Sequence, residues 1–168
     1  MKKILIAILA LVVSQAARSA ESQTIVYPTA EKASFKITAP ESWKMKQAED
    51  EGDYFHLIGP TGAVFSFRTI EGSEDAMEKA VKRSLEQVNE DYKEISMGDA
   101  EDWTPGGLKG FYVTGSAVGK KENDKVRIGL GWAALKDGKI AEFWFVADLD
   151  DEKGLSTANN IANSLRAP

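Results

Sequence analysis

The run V-R-I-G-L-G-W-A-A-L-K, residues 126–136, is followed by Asp137-Gly138 and then by K-I-A-E-F-W-F-V-A, residues 139–147. Asp137-Gly138 between two apolar runs is the two-residue signature of a β-hairpin with a type I′ turn. In the first run the large side chains alternate with Gly129, Gly131 and Ala133. We therefore expect one bulky face and one face on which a partner can approach the backbone closely.

The second run of this hairpin differs from the first because it carries bulk on both faces. Phe143 and Phe145 fall on one face, and Trp144 and Val146 fall on the other. A strand that is apolar on both faces requires cover on both faces. The hairpin is therefore predicted to lie at the centre of a sheet with layers on either side.

The N-terminal segment has the pattern of a signal peptide. Two lysines precede an uncharged apolar run at residues 4–13, and small residues follow. That run is shorter than the roughly 20 residues needed to span a bilayer. Cleavage after Ala16 and cleavage after Ser19 both fit. We predict a signal peptide over residues 1–20 and one domain over 21–168, exported in soluble form to the periplasm or the medium.

Composition narrows the class of protein further. The chain has no cysteine, which excludes a lipoprotein cleavage site and a disulfide-stapled scaffold, so we expect no stable membrane anchor. Three of its 21 basic residues lie in the leader and all 26 acidic residues lie beyond it, so the mature chain has a net charge of −8. An acidic chain without a basic run is a poor candidate for binding nucleic acid.

The rest of the chain is predicted to form short strands and two helices. Ser73 can cap the first helix, whose apolar stripe would be Met77, Val81, Leu85 and Val88. The predicted elements outside the central hairpin are a loose polar arm at 20–32, strands at 33–38, 43–47, 54–58, 63–70, 93–97 and 108–119, and helices beginning near residues 74 and 152. This order predicts an α+β fold, a central antiparallel β-sheet flanked by helices in an α/β/α sandwich.

Short motifs in these elements resemble the PsbP-like superfamily, which includes bacterial exported PsbP/DcrB-type proteins. The motifs are Phe35-x-Ile37 before Pro40-x-x-Trp43, Leu108-Lys109-Gly110, and the ending Asn163-Ser164-Leu165. Many relatives have Pro-x-Gly-Trp, where this chain has Ser42 in place of the glycine. The resemblance covers nearly the whole mature chain. It implies a binding or assembly module rather than an enzyme, and it carries over no partner.

Two candidate sites have ordinary structural explanations. His56 is the one histidine, and a lone histidine within a strand is more often structural than a general base. The acidic segment at residues 148–152 has four carboxylates but lacks the ligand spacing of an EF-hand, so Asp150 or Asp151 is interpreted as a helix cap. We therefore predict no catalytic residue, no metal site and no cofactor.

The irregular segment at residues 98–107 is the candidate partner-binding loop. It combines Trp103 with Asp99, Glu101 and Asp102. An indole in a polar loop is a frequent binding anchor, and the carboxylates would favour a basic partner. The alternative is that Trp103 is a buried side chain that holds the loop against the body.

The sequence as a whole favours an exported, non-catalytic accessory or binding module for an unidentified protein or small ligand. Two alternatives remain open, a small periplasmic hydrolase or other enzyme and an inhibitor of an exported enzyme. A concave pocket that gathers buried carboxylates around His56 would favour the enzyme. The oligomeric state is open.

Overall fold

A computed structural model describes residues 21–47 and 54–168. The predicted signal peptide and residues 48–53 lie outside these ranges. The elements are β1 (Ser22–Tyr27), β2 (Phe35–Pro40), β3 (Lys44–Gln47), β4 (Phe55–Ile58), β5 (Val64–Glu71), α1 (Glu74–Asp91), β6 (Tyr92–Met97), β7 (Glu101–Trp103), β8 (Gly110–Gly119), β9 (Lys125–Ala134), β10 (Lys139–Asp148) and α2 (Glu152–Asn163). None of the helices in the described ranges has the length and apolar character needed to cross a membrane.

The strands form one large antiparallel sheet with a small sheet beside it. The large sheet has eight strands in the order β3-β4-β5-β10-β9-β8-β6, and β7 pairs with β8. Strands β1 and β2 form a separate antiparallel pair. The predicted α+β fold with a central antiparallel sheet is confirmed.

The β9–β10 hairpin lies at the centre of the sheet, as its sequence predicts. Trp132 is buried on the α1 side, whereas Gly129 and Gly131 face the α2 side. The turn itself differs from the predicted type I′. Only Gly138 has a positive φ, of 80°, and Leu135 donates its backbone N–H to Lys139, which leaves a three-residue loop. That arrangement needs one left-handed residue, which glycine supplies without strain.

Each face of the sheet has its own apolar core. On one face, α2 and the β1–β2 pair cover Phe65, Phe67 and Phe143. On the other face, α1 covers Ile128, Leu130 and other residues of β9. The residues of the superfamily-like motifs belong to the first core. The buried members are Phe35, Ile37, Trp43, Leu108 and Leu165, so these motifs specify packing.

Part of the predicted loose arm is ordered, since residues 22–27 form β1 and pair with β2, which corrects the expectation for that part of residues 20–32. Ile25 and Tyr27 of β1 are buried, and the Tyr27 ring stacks on Phe35 with centroids 5.1 Å apart. The Gln23 side chain donates to the carbonyl of Trp43 at 2.8 Å. The sequence of this segment reads as polar because only Ile25 and Tyr27 of the strand are buried, and polar residues such as Ser22 and Thr24 face outward.

Helix α1 begins as predicted, and three residues of its predicted stripe face the sheet, since Val88 is buried and Met77 and Val81 pack against the second core. Ser73 caps it by accepting the backbone N–H of Ala76. Ala80 and Val88 are buried, whereas Leu85 is 43% exposed. Ser84 occupies the inward position next to Leu85 and hydrogen-bonds a buried glutamate, described below. Because a polar residue takes this inward position, apolar spacing alone placed Leu85 wrongly on the buried face.

Candidate functional site

A cleft of about 710 Å³ opens between α2 and the glycine-rich face of β8, β9 and β10. It exists because α2 and the β1–β2 pair cover this face next to β10 and leave the neighbouring strands open. The residues that line it are Phe65, Asp102, Trp103, Thr104, Tyr112, Val113, Thr114, Arg127, Gly129, Leu130, Gly131, Phe143, Trp144, Phe145, Leu155, Asn159, Ala162 and Asn163.

The floor of the cleft depends on two glycines that have different neighbours. A β-carbon at Gly129 would collide with the ring of Phe145, so this position is already covered. A β-carbon at Gly131 would meet nothing closer than 3.6 Å, from Trp103 and Tyr112. A side chain at Gly131 would therefore make ordinary van der Waals contacts with Trp103 and Tyr112 and would extend into the cleft that Gly131 lines.

Trp103 forms one wall of the cleft. Its indole is half-buried and packs edge to face on Phe143, with centroids 5.8 Å apart. Its Nε1 donates to Oδ1 of Asn163 at 2.8 Å. Trp103 thus joins β7 to α2 and also presents a surface to the cleft, so it combines features of both interpretations of this residue.

The segment around Trp103 is more regular than predicted. Residues 101–103 pair with β8, and Pro105–Gly107 form a short 3₁₀ turn. The turn uses Gly106 and Gly107 at positive φ, of 55° and 79°, which a sequence pattern does not distinguish from disorder. Pairing with β8 places this segment at the mouth of the cleft.

The carboxylates predicted with Trp103 lie at different distances from the cleft. Asp102 is among the lining residues, but it pairs with Phe111, so its side chain falls on the α1 face of the sheet. Glu101 accepts a hydrogen bond of 2.7 Å from the Tyr112 hydroxyl, which lines the cleft. That bond to Glu101 is the main cause that raises the pKa of Tyr112. Asp99 lies before β7 and is not part of the lining.

Sequence reasoning missed Arg127, Asn159 and Asn163. Arg127 is exposed and alternates with valine and isoleucine in β9, a position that reads as an ordinary solvated residue. The two asparagines lie on the side of α2 that borders the cleft. These three residues line one cleft because of the way α2 packs on the sheet, and no local sequence pattern predicts that packing.

A second polar cluster is buried on the α1 side. Glu142 is 1% exposed, and its Oε2 accepts from Arg68 Nε at 2.5 Å and from Tyr54 at 2.8 Å. Its Oε1 accepts from Ser84 at 3.0 Å and Trp132 Nε1 at 3.2 Å. Four donors satisfy the carboxylate, so this cluster is a structural link between the sheet and α1.

Tyr54 shows how enclosed this cluster is. Burial, followed by the negative charge of Glu142, raises the pKa of Tyr54 well above that of an ordinary phenol. The Arg68 guanidinium lies 4.4 Å from the centroid of the Tyr54 ring, a cation–π contact. The phenol therefore remains neutral and serves as a hydrogen-bond donor.

His56 lies in β4 with its side chain on the α1 side. Its Nδ1 is 2.6 Å from the hydroxyl of Ser66, which is fully buried, and its ring contacts Trp144 edge to face. His56 lines neither the large cleft nor a small cavity beside α1. A concave pocket around His56 would favour an enzyme, but His56 lies in the lining of neither cavity.

The acidic segment after β10 acts at the start of α2. Asp151 is the N-cap and accepts the backbone N–H of Gly154 at 2.9 Å. It also accepts a short hydrogen bond from Thr61, which is the first cause that lowers the pKa of Asp151. Across residues 21–47 and 54–168, no group of three or more potential ligand side chains is placed to hold a metal ion.

Comparisons with known proteins identify similar structures but no sequence family. No protein-family model matches the chain, and no curated protein matches it. Cyanobacterial PsbP (CyanoP) from Synechocystis sp. PCC 6803 has a TM-score of 0.62 at 13% identity, covering 91% of this chain and 96% of that one. The Ran-binding protein Mog1p of Saccharomyces cerevisiae has a TM-score of 0.56 at 10% identity, covering 89% and 96%.

A longer protein also contains this architecture. A structure from Bacteroides thetaiotaomicron VPI-5482 has a TM-score of 0.58 at 16% identity and covers 86% of this chain. The chain spans 48% of that protein, about half its length. At such identities the similarity establishes the fold alone, and at that level it confirms the resemblance drawn from the sequence.

Proposed function

We propose that this chain, which has the PsbP-like fold, is an exported, non-catalytic binding module whose ligand occupies the cleft between α2 and β9. The observation that carries the proposal is the cleft of about 710 Å³ that Gly131, Trp103 and Tyr112 line. Concave sites of several hundred Å³ that combine aromatic walls with a few polar groups are typical of ligand binding. The cleft has this composition and this size.

The arrangement of ionisable groups supports binding over catalysis. The buried carboxylate of Glu142 is fully occupied by four donors and lies across the sheet from the cleft. His56 contacts Ser66 on that same side. A general base must reach the proton that it removes, and neither group lines the cleft.

Export is part of the proposal and rests on residues 1–20. Their charged, apolar and small-residue regions have the order of a signal peptide. The mature chain has no cysteine, so its stability comes from the apolar cores on both faces of the sheet and requires no disulfide. The proposal therefore places the cleft outside the cytoplasm.

Gly131→Leu tests the cleft directly. A library of small aromatic and aliphatic fragments is screened against the wild-type protein by ligand-observed NMR, and the binders are repeated with the variant. Gly131 does not have a positive φ, so its backbone accepts a leucine, whose side chain would extend into the cleft. We expect the binders to lose their signal with Gly131→Leu and to keep it with Asn160→Leu, which adds the same group on an exposed position of α2 outside the cleft. Equal binding to wild type and Gly131→Leu would refute the proposed site.

A further inference from the structure

The cleft is elongated, because α2 runs alongside β9. Leu149, just before α2, donates its N–H to the carbonyl of Lys125, and Asn163 at its other end meets Trp103 beside Gly131. From Leu155 to Asn163 the helix rises about 12 Å at 1.5 Å per residue. From Arg127 to Gly131 the strand rises about 13 Å at 3.3 Å per residue. The two lengths agree and match about four residues of extended peptide.

One end of the cleft is marked by its single cation. Among the lining residues only Arg127 is basic, and it forms no ion pair within the described ranges. Its cross-strand neighbours on the same face, Ser116 and Ala147, are small. The guanidinium is therefore accessible, and its planar donors suit a carboxylate.

The other end of the cleft is acidic. Glu101 holds the hydroxyl of Tyr112, which lines this end, whereas the side chain of Asp102 falls on the opposite face of the strand, with its partner Phe111. Glu101 and Asp102 belong to β7, which pairs with β8 at the level of Gly131 and Trp132 in β9. A carboxylate at Arg127 and a basic group at β7 would complement both ends of the cleft.

We propose that the ligand of the cleft is the carboxyl-terminal end of an extended peptide that carries a basic group. This rests on the proposed function, since it assigns a ligand class to the same site. The terminal carboxylate pairs with Arg127, and the basic group lies toward Glu101. A side chain between them packs above Gly131 against Trp103, where an aromatic ring offers contact area at little cost in rotamer freedom.

The charge of the surroundings discriminates against simple anions. Asp148, the last residue of β10, and Asp150 lie near the Arg127 end, although neither lines the cleft. The mature chain also carries a net charge of −8. This field opposes an isolated anion and favours a ligand whose basic group offsets its carboxylate.

The test uses a synthetic pool of pentapeptides that begin with lysine and are random elsewhere. The pool is made once with free carboxyl termini and once with terminal amides. Each pool is dialysed against wild-type protein, Arg127→Gln and Lys125→Gln, and retained peptides are quantified by mass spectrometry. Lys125 lies on the same strand and the same face as Arg127 but outside the cleft, so its variant removes the same charge as a control.

We expect wild-type protein to retain the free acids about tenfold better than the amides, the factor that a charge-assisted hydrogen bond supplies. Arg127→Gln should abolish that preference and Lys125→Gln should keep it. Equal retention of both pools, or a preference that survives Arg127→Gln, would overturn the peptide assignment. If no peptide is retained while fragments bind in a Gly131-dependent way, the peptide assignment fails and the binding cleft stands. If fragments bind Gly131→Leu as well as wild type, the cleft itself fails.

Discussion

Replacing Arg68 by methionine should destabilise the fold severely, because it leaves Glu142 as a buried charge without its cation. Glu142 is 1% exposed, and the Arg68 side chain donates to it at 2.5 Å. Tyr54, Ser84 and Trp132 would remain as neutral donors. Breaking one side of a buried ion pair typically costs about 3–5 kcal/mol, and we expect the free energy of unfolding to fall by that amount.

Urea denaturation followed by tryptophan fluorescence measures this loss, and two further variants make it specific. Arg68→Met combined with Glu142→Gln removes the unpaired charge while keeping an acceptor for Ser84, so the double variant should be more stable than the sum of the single losses predicts. Lys79→Met removes an exposed ion pair with Asp75, in which both side chains are about three-quarters exposed, and should change stability by about 0.5 kcal/mol or less. A loss below about 1 kcal/mol for Arg68→Met would refute the reasoning.

Three other predictions follow from the same structure. Trp103→Ala should weaken ligand binding and also lower the melting temperature, because the indole both lines the cleft and packs on Phe143; calorimetry and a binding titration on one sample check both effects, and unchanged values in both would contradict them. Tyr54 has a raised pKa, so its contribution to stability is complete below the unfolded value of about 10 and is lost as the pH rises above it; urea midpoints measured on either side of that pH should fall less in Tyr54→Phe than in wild type. Intact-mass measurement on the exported protein should find an N-terminus between Ala17 and Ala20, and a full-length chain held in the membrane would contradict the signal peptide.

The central hairpin was predictable from sequence because its two strands carry different information. Alternation of large and small residues in β9 specifies which face each side chain occupies, and bulk on both faces of β10 specifies cover on both sides. The structure confirms both inferences, with Trp132 buried toward α1 and Gly131 facing α2.

Errors arose where a polar residue faces inward or an apolar strand is short. Leu85 fits the apolar spacing of α1, yet Ser84 takes the inward position because Glu142 needs a donor there. The apolar run of Ile25, Val26 and Tyr27 is only three residues long in a mostly polar segment, so its pairing with β2 was missed. In both cases a contact with a residue distant in sequence decided the outcome.

The candidate site was only partly predictable for the same reason. The small-residue face of β9 and the aromatic Trp103 were apparent as patterns. Asn163 and Arg127 were not apparent, because only the packing of α2 on the sheet places Asn163 beside Trp103 and brings both Asn163 and Arg127 to the cleft. The site depends on tertiary packing of elements that are each ordinary in sequence.

The most direct test of the binding cleft is ¹⁵N–¹H NMR of the protein titrated with a fragment or peptide that it binds. A ligand in the cleft should change the chemical shifts of the backbone amides of Gly129 and Gly131 and of the indole N–H of Trp103. The indole N–H of Trp132, buried on the opposite side of the sheet against Glu142, should change least. Shift changes concentrated around α1, with Gly131 and Trp103 unaffected, would show that the ligand does not bind in this cleft.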